Sequence, residues 1–299
     1  MKRIALQVLL AVVLLTGCDT MGTAELRREV VVEAYLVAGE PIGDVRLTRT
    51  VSLEEAYDPA VLGITDADVR IELLSNDGPV EEEIPLAAVR DEPGVYRANP
   101  APIVEPLRTY RLAVHVPETG ERLSSVTVVP DTIRTLHVNR DTVVYRSNDP
   151  LVFTVAAPDY PGRQNVFILT TVALEPLVDN LTPFARNSFE DGDASLSSLS
   201  RSVSPLLNEE NFDVAPGGGR RVQYPWLALN FIGRNRATLQ SLDDNLYDFV
   251  RSQSVQQGGS TLPPGEIPNV LENVEGGRGI FGSYARTSVE VVVLRGADG

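Results

Sequence analysis

The chain has 299 residues, with 26 Lys and Arg against 41 Asp and Glu, for a formal net charge of −15 at pH 7. Such a surface repels nucleic-acid phosphates and anionic lipid headgroups, which excludes nucleic acid as a partner and membrane docking by charge alone. One Cys and two His leave too few soft or imidazole ligands for a zinc site, while 21 Pro and 23 Gly favour strands and turns over long helices.

The N-terminus has three parts. Met1, Lys2 and Arg3 precede the apolar run IALQVLLAVVLL, and small residues follow. That is the layout of a secretory leader, residues 1–17. About twelve helical residues span about 18 Å, short of a ~30 Å hydrocarbon core, so the run is not a membrane span. Leu15, Thr16, Gly17 and Cys18 resemble the lipobox of bacterial lipoproteins. The resemblance implies cleavage before Cys18, a diacylglyceryl thioether on its sulfur and an acyl chain on its amine. A thiolate is the soft nucleophile such chemistry needs, and two or three acyl chains anchor stably where one does not. The alternative reading is an ordinary leader holding a free thiol. Residues 18–27 would then form a short polar tether.

From residue 28, strand signals follow closely. EVVVEAYLVAG places Val30, Val32, Ala34 and Leu36 on one face. ADVRIELL sets Val69, Ile71 and Leu73 against Asp68, Arg70 and Glu72, and stops at the hairpin signal SNDG. EPGVYRA, TYRLAVHVP and RLSSVTVVP complete the set. Short alternating strands with turns between them predict an antiparallel β-sandwich over residues 28–130. The order of these segments resembles prealbumin-like, Ig-like and carboxypeptidase-regulatory-like sandwiches, which act as spacers or interaction modules.

A second, mostly β domain is expected over 131–299. LVFTVAAP, NVFILTTVALE, VQYPWLALNFIG and SVEVVVL read as strands. Residues 187–213, rich in Ser and acids, lie in an expected long surface loop of about 180–215. SLDDNLYDFVRSQSVQQ predicts one amphipathic helix over about 241–256. Ser241 and Asp244 suit an N-terminal capping arrangement, and Leu242, Leu246, Phe249 and Val250 form a stripe suited to packing on the chain's own sheet.

Catalytic chemistry finds little purchase. His115 falls on the polar face of a strand, and His137 sits in TLHVNR without an acid or nucleophile in frame; a Ser-His-Asp device needs such a proton shuttle. Glu81, Glu82 and Glu83 read as a solvated loop, and Glu190, Asp191 and Asp193 lack the alternation of a calcium loop. EGGRGIFG is followed by a strand instead of a helix, so its glycines suit a bulged turn better than a phosphate cradle. No catalytic residue, metal ligand or cofactor is expected, and the protein is read as not an enzyme.

Asn273, Gly276, Gly277, Gly279 and Phe281, behind LYDFVRSQSVQQ and a Pro-rich loop, resemble the closing motif of the lipoprotein family called domain of unknown function 4249. VVVEAYL, VRLTRT, DADVRIELLSNDG and PGVYRA extend the resemblance over most of the chain. Arg278 stands between the second and third glycines, where an apolar residue is expected. The resemblance implies a lipid-anchored cell-envelope protein, held in the outer membrane and encoded beside TonB-dependent transporters. An accessory binding role with such a transporter as partner is the expectation. A carbohydrate-binding or carbohydrate-active lipoprotein, or a purely structural spacer, are the alternatives.

Overall fold

The computed structural model describes residues 28–52, 54–156, 158–254 and 270–296. Leu15, Thr16, Gly17 and Cys18 lie outside the described residues.

The chain is mainly β. Its first strands are β1 (Val30–Val37), β2 (Val45–Arg49), β3 (Asp68–Leu74), β4 (Val80–Ala88), β5 (Val95–Ala98), β6 (Thr109–Val116) and β7 (Glu121–Val128), with a short helix α1 (Pro59–Leu62) before β3. Every pairing among these seven strands is antiparallel. Apolar residues at alternate positions give each strand one buried face: Val30, Val32, Ala34 and Leu36 are all buried, and each fully buried Val or Leu contributes roughly 1.5–3 kcal/mol. Glu72 lies on the polar face of β3 yet is only 2% exposed. Burial pushes its pKa up, but hydrogen bonds from the Arg70 and Arg111 guanidiniums outweigh that and hold the carboxyl below its ordinary value.

The remaining strands are β8 (Thr135–Val138), β9 (Thr142–Val144), β10 (Leu151–Val155), β11 (Val166–Ala173), β12 (Arg201–Val203), β13 (Leu207–Asn208), β14 (Asp213–Val214), β15 (Arg220–Tyr224), β16 (Gly233–Leu242) and β17 (Arg278–Leu294). A 13-stranded mixed sheet runs β12-β11-β16-β17-β1-β2-β5-β4-β3-β6-β7, with β13 on β11 and β9 on β17; a 4-stranded sheet runs β14-β15-β10-β8. The hinge of this topology is β17. Its first residues pair in parallel with β1, from Val31 opposite Arg278 to Val37 opposite Tyr284. Its later residues pair antiparallel with β16, from Tyr284 opposite Leu242 to Val293 opposite Gly233. A single hydrophobic core therefore joins Val32, Leu47 and Leu112 to Phe153, Tyr224 and Val293. The Tyr224 hydroxyl, buried in that core, donates to Thr238 O and ties the small sheet to the large one.

Three expectations change. Residues 187–213 are not one loop: α2 (Pro183–Glu190) and α3 (Leu196–Leu199) occupy the region, followed by β12 and β13. Pro183 takes the first helical position, where its missing N–H has no cost, and Ser195 caps α3 reciprocally with Ser198. Glu81, Glu82 and Glu83 belong to β4, and all three side chains are exposed. The main helix, α4, spans Asp244–Ser254, because Ser241 and Leu242 remain in the ladder opposite Ala285 and Tyr284. Its cap is Asp243, whose Oδ1 accepts from Leu246 N at 2.8 Å. Leu246, Phe249 and Val250 pack with Leu242 on Ile168 and Ile280, so the apolar stripe covers the protein's own sheet.

Candidate functional site

Two places gather unusual residues: the glycine motif and a cleft beside the small sheet. At the motif, Asn273 pairs with the backbone of Phe281 as a strand would. Its Oδ1 accepts from Phe281 N at 3.0 Å and its Nδ2 donates to Phe281 O at 2.7 Å. Ser125 Oγ donates to Asn273 O at 2.8 Å, and Ser124 and Glu275 exchange backbone bonds of 3.1 and 2.8 Å. β7 is the last strand of the large sheet, so this contact covers an otherwise open edge.

The glycines are where they are because nothing larger fits. Gly276 has φ +80°, and a Cβ there would sit 2.2 Å from Arg122 O; at Gly279, with φ +106°, it would sit 1.9 Å from Val32 O. A Cβ on Gly277 would meet the Leu123 side chain at 2.2 Å. Phe281 is fully buried. Arg278 points outward and pairs with Glu29 at 2.9 Å and Glu272 at 3.0 Å, so a charged residue fits where an apolar one was expected. The motif's backbone groups face β1 and β7 and hold the fold.

Under the motif lies a buried polar knot. Asp243 is 1% exposed and accepts from Thr127 Oγ1, which lies 2.7 Å from Ser283 Oγ; Ser283 Oγ in turn donates to Val128 O at 3.1 Å. Burial pushes the Asp243 carboxyl up to about 7, against the hydrogen bonds from Thr127 and from the backbone of Leu246 and Ser283. Four elements meet there: β7, β16, β17 and α4.

The sequence-selected polar residues are dispersed. His115, on β6, has its Nδ1 3.4 Å from Asp68 Oδ2, and His137 is exposed on β8. No Ser or Thr hydroxyl among the described residues bonds either imidazole. Glu190 ends α2 while Asp191 and Asp193 follow it, and no group of three metal-ligating side chains occurs among the described residues. No helix among them is long and apolar enough to cross a membrane.

The cleft, of about 640 Å³, lies where the small sheet meets β11 and the segment 204–213. Its floor is apolar: Leu151, Leu169, Leu207, Phe212 and Tyr224. Its rim carries Asn148, Asp149, Asp213, Arg221 and Gln223. Trp226 borders it, but Arg146 stacks over the indole at 4.6 Å while Tyr145 and Phe184 meet it edge-on. A second hollow of about 320 Å³ adjoins it and shares Asp149, Pro150, Asp213, Arg221 and Gln223 with it. Volume, apolar floor and sparse polar rim are those of a small binding site. Sequence reasoning missed it; the lone Trp226 beside Pro225 was the one local signal.

Fold and motif define a class: a mainly β protein built on one large mixed sheet and one small antiparallel sheet, closed by a structural Asn-Gly-Gly turn. The chain belongs to the family described as domain of unknown function (DUF4249), whose model matches residues 22–290. No curated protein matches the sequence. Among solved structures it is similar to trypsin-activated alpha-2-macroglobulin from Escherichia coli, at 10% identity and TM-score 0.23, over 72% of this chain and 14% of that one. A Salmonella alpha-2-macroglobulin mutant gives 13% identity and TM-score 0.24, over 89% of this chain and 14% of that one. A tetra-tandem repeat from the extending region of a large adhesion protein gives 9% and 0.21, over 88% and 49%. The chain thus spans less than half the length of each of these proteins.

Proposed function

We propose that this is a lipid-anchored cell-envelope protein, tethered in the outer membrane through Cys18, that serves as a non-enzymatic accessory binding module for a TonB-dependent transporter. The observation that carries the reading is the Leu15-Thr16-Gly17-Cys18 box behind two positive charges and an apolar run too short to span a bilayer. Membership of the family supports it through the envelope setting that the resemblance implies. The cleft supports a binding role over a spacer, because a spacer needs no apolar-floored hollow with charged residues at its rim. A carbohydrate site would use an open aromatic face, and the indole of Trp226 is already covered by Arg146.

Metabolic labelling with an alkyne fatty acid, followed by intact-mass measurement of the mature N-terminus, tests the anchor. Wild type takes up label at Cys18, and Cys18→Ser takes up none and leaves the membrane fraction. An unlabelled wild-type N-terminus contradicts the proposal. Co-purification from detergent-solubilised envelopes tests the transporter: the full-length protein brings the transporter with it, and its consistent absence contradicts that half.

A further inference from the structure

One edge of the small sheet is left open inside the cleft. On the β14 side of β15, Ala215 N donates to Gly219 O at 2.7 Å and Asp213 lies opposite Arg221. Antiparallel strands bond at every second residue, so residues 219, 221 and 223 face that side. The far side of the sheet agrees. Ala156 N bonds Arg134 O, and Asn139 N bonds Val152 O, which turns residues 152, 154 and 156 of β10 toward β8. Residues 151, 153 and 155 then bond β15, opposite Tyr224, Val222 and Arg220. Gln223 therefore aims its backbone N–H and C=O away from β10. β14 starts only at Asp213, so it stops short of Gln223. The turn before it, Glu209–Asn211, is pinned elsewhere by Asn165 Nδ2 at 2.9 Å and Arg220 Nε at 2.9 Å, both on Glu209. Among the described residues no hydrogen bond takes either group of Gln223.

The rest of the cleft suits what such an edge selects. Beside Gln223 lie the apolar Leu207 and Phe212, and Asp213 and Arg221 stand side by side without an ion pair among the described residues. A free N–H and C=O at strand spacing match another main chain, whose own C=O and N–H recur at that spacing. We infer that the cleft binds an extended peptide segment of a partner protein, which adds as a strand at Gln223. The segment exchanges two main-chain hydrogen bonds with Gln223. Alternate side chains rest on Leu207 and Phe212, and the intervening ones meet Asp213 and Arg221. This deepens the accessory-binding reading but does not depend on the anchor: lipid labelling and peptide capture fail independently.

The test uses the full-length protein in detergent micelles to select from a random heptapeptide library, with empty micelles as the control. Enriched peptides are expected to place apolar residues at alternate positions. Anisotropy titrations then compare Gln223→Ala, expected within about twofold of wild type, with Gln223→Pro, expected at least about tenfold weaker. Proline removes the outward N–H yet is compatible with an edge that donates nothing to β10. If Gln223→Pro fails to fold, amide exchange on wild type decides: the Gln223 amide slows about tenfold or more on saturation with the enriched peptide. No enriched peptide, a Gln223→Pro protein that folds and binds like wild type, an unprotected Gln223 amide, or a glycan from an array that occupies the cleft while no peptide does would each overturn the assignment.

Discussion

The two ends of the long strand β17 face opposite conditions. Near Arg278 and Phe281 side chains stand in for missing strand neighbours, Asn273 for Phe281 and Glu272 for Gly279, and glycines let backbones approach to contact. Toward Leu294 the sheet adjoins a small four-stranded layer with a truncated edge, an open cleft and charged residues at the rim. The first region spends its sequence on closing the fold. The second leaves groups unpaired, and unpaired groups are what a partner can use.

The comparison breaks most readily at Gly279. Gly279→Ala must place a Cβ against Val32 O and hold φ at +106°, so a loss of about 3 kcal/mol or more is expected in denaturant unfolding. Gly217→Ala, at φ +95° with nothing within 4 Å, costs only ~1 kcal/mol of backbone strain. Equal losses would remove the close-approach argument. Asn273→Ala removes the two Asn273 bonds to Phe281; Asn245 Nδ2 still reaches Phe281 O, but the Phe281 N–H is left unpaired, a loss of about 2–3 kcal/mol by the same measurement.

A pH series sharpens the picture at Asp243. Its carboxyl is raised to about 7 in the folded protein, above its ordinary value of 3.8, so the folded chain holds a proton that the unfolded chain releases. Stability from this group is present at acid pH and declines as pH rises from about 4 to about 7. Asp244, with Arg163 and the Tyr160 hydroxyl bound to it, lies next door. Asp243→Asn removes the decline, and a variant that keeps the wild-type slope would assign it to another group. The smallest effect belongs to Arg278→Ala. Its pairs with Glu29 and Glu272 are solvent-exposed, so the denaturation midpoint moves least of all and the residual shift disappears in high salt.

Legibility in the sequence follows the same division. The strands of the first half alternate because each buries one face, and Val69, Ile71 and Leu73 end in the core as their spacing requires. β4 was opaque because most of its side chains are exposed and just Ile84 and Leu86 are buried, which leaves no run of alternation. α2 was masked by a Ser- and acid-rich composition. The motif announced itself through its glycines, although not what each one touches: Val32 and Arg122 lie more than a hundred residues upstream. The cleft gave no signal beyond the lone Trp226, since its floor draws on β10, β11, β13 and β15. Its open edge exists only because β14 is two residues long, a consequence of where Glu209 is held.

Native-state amide hydrogen exchange on the full-length protein, without added peptide, tests the contrast most directly. The Phe281 and Ser124 amides, bonded to Asn273 Oδ1 and Glu275 O, should exchange only through large-scale opening, while the Gln223 amide exchanges near its unprotected rate. A slow Gln223, or a Phe281 that exchanges as fast as it, would contradict the division between a closed motif and an open edge.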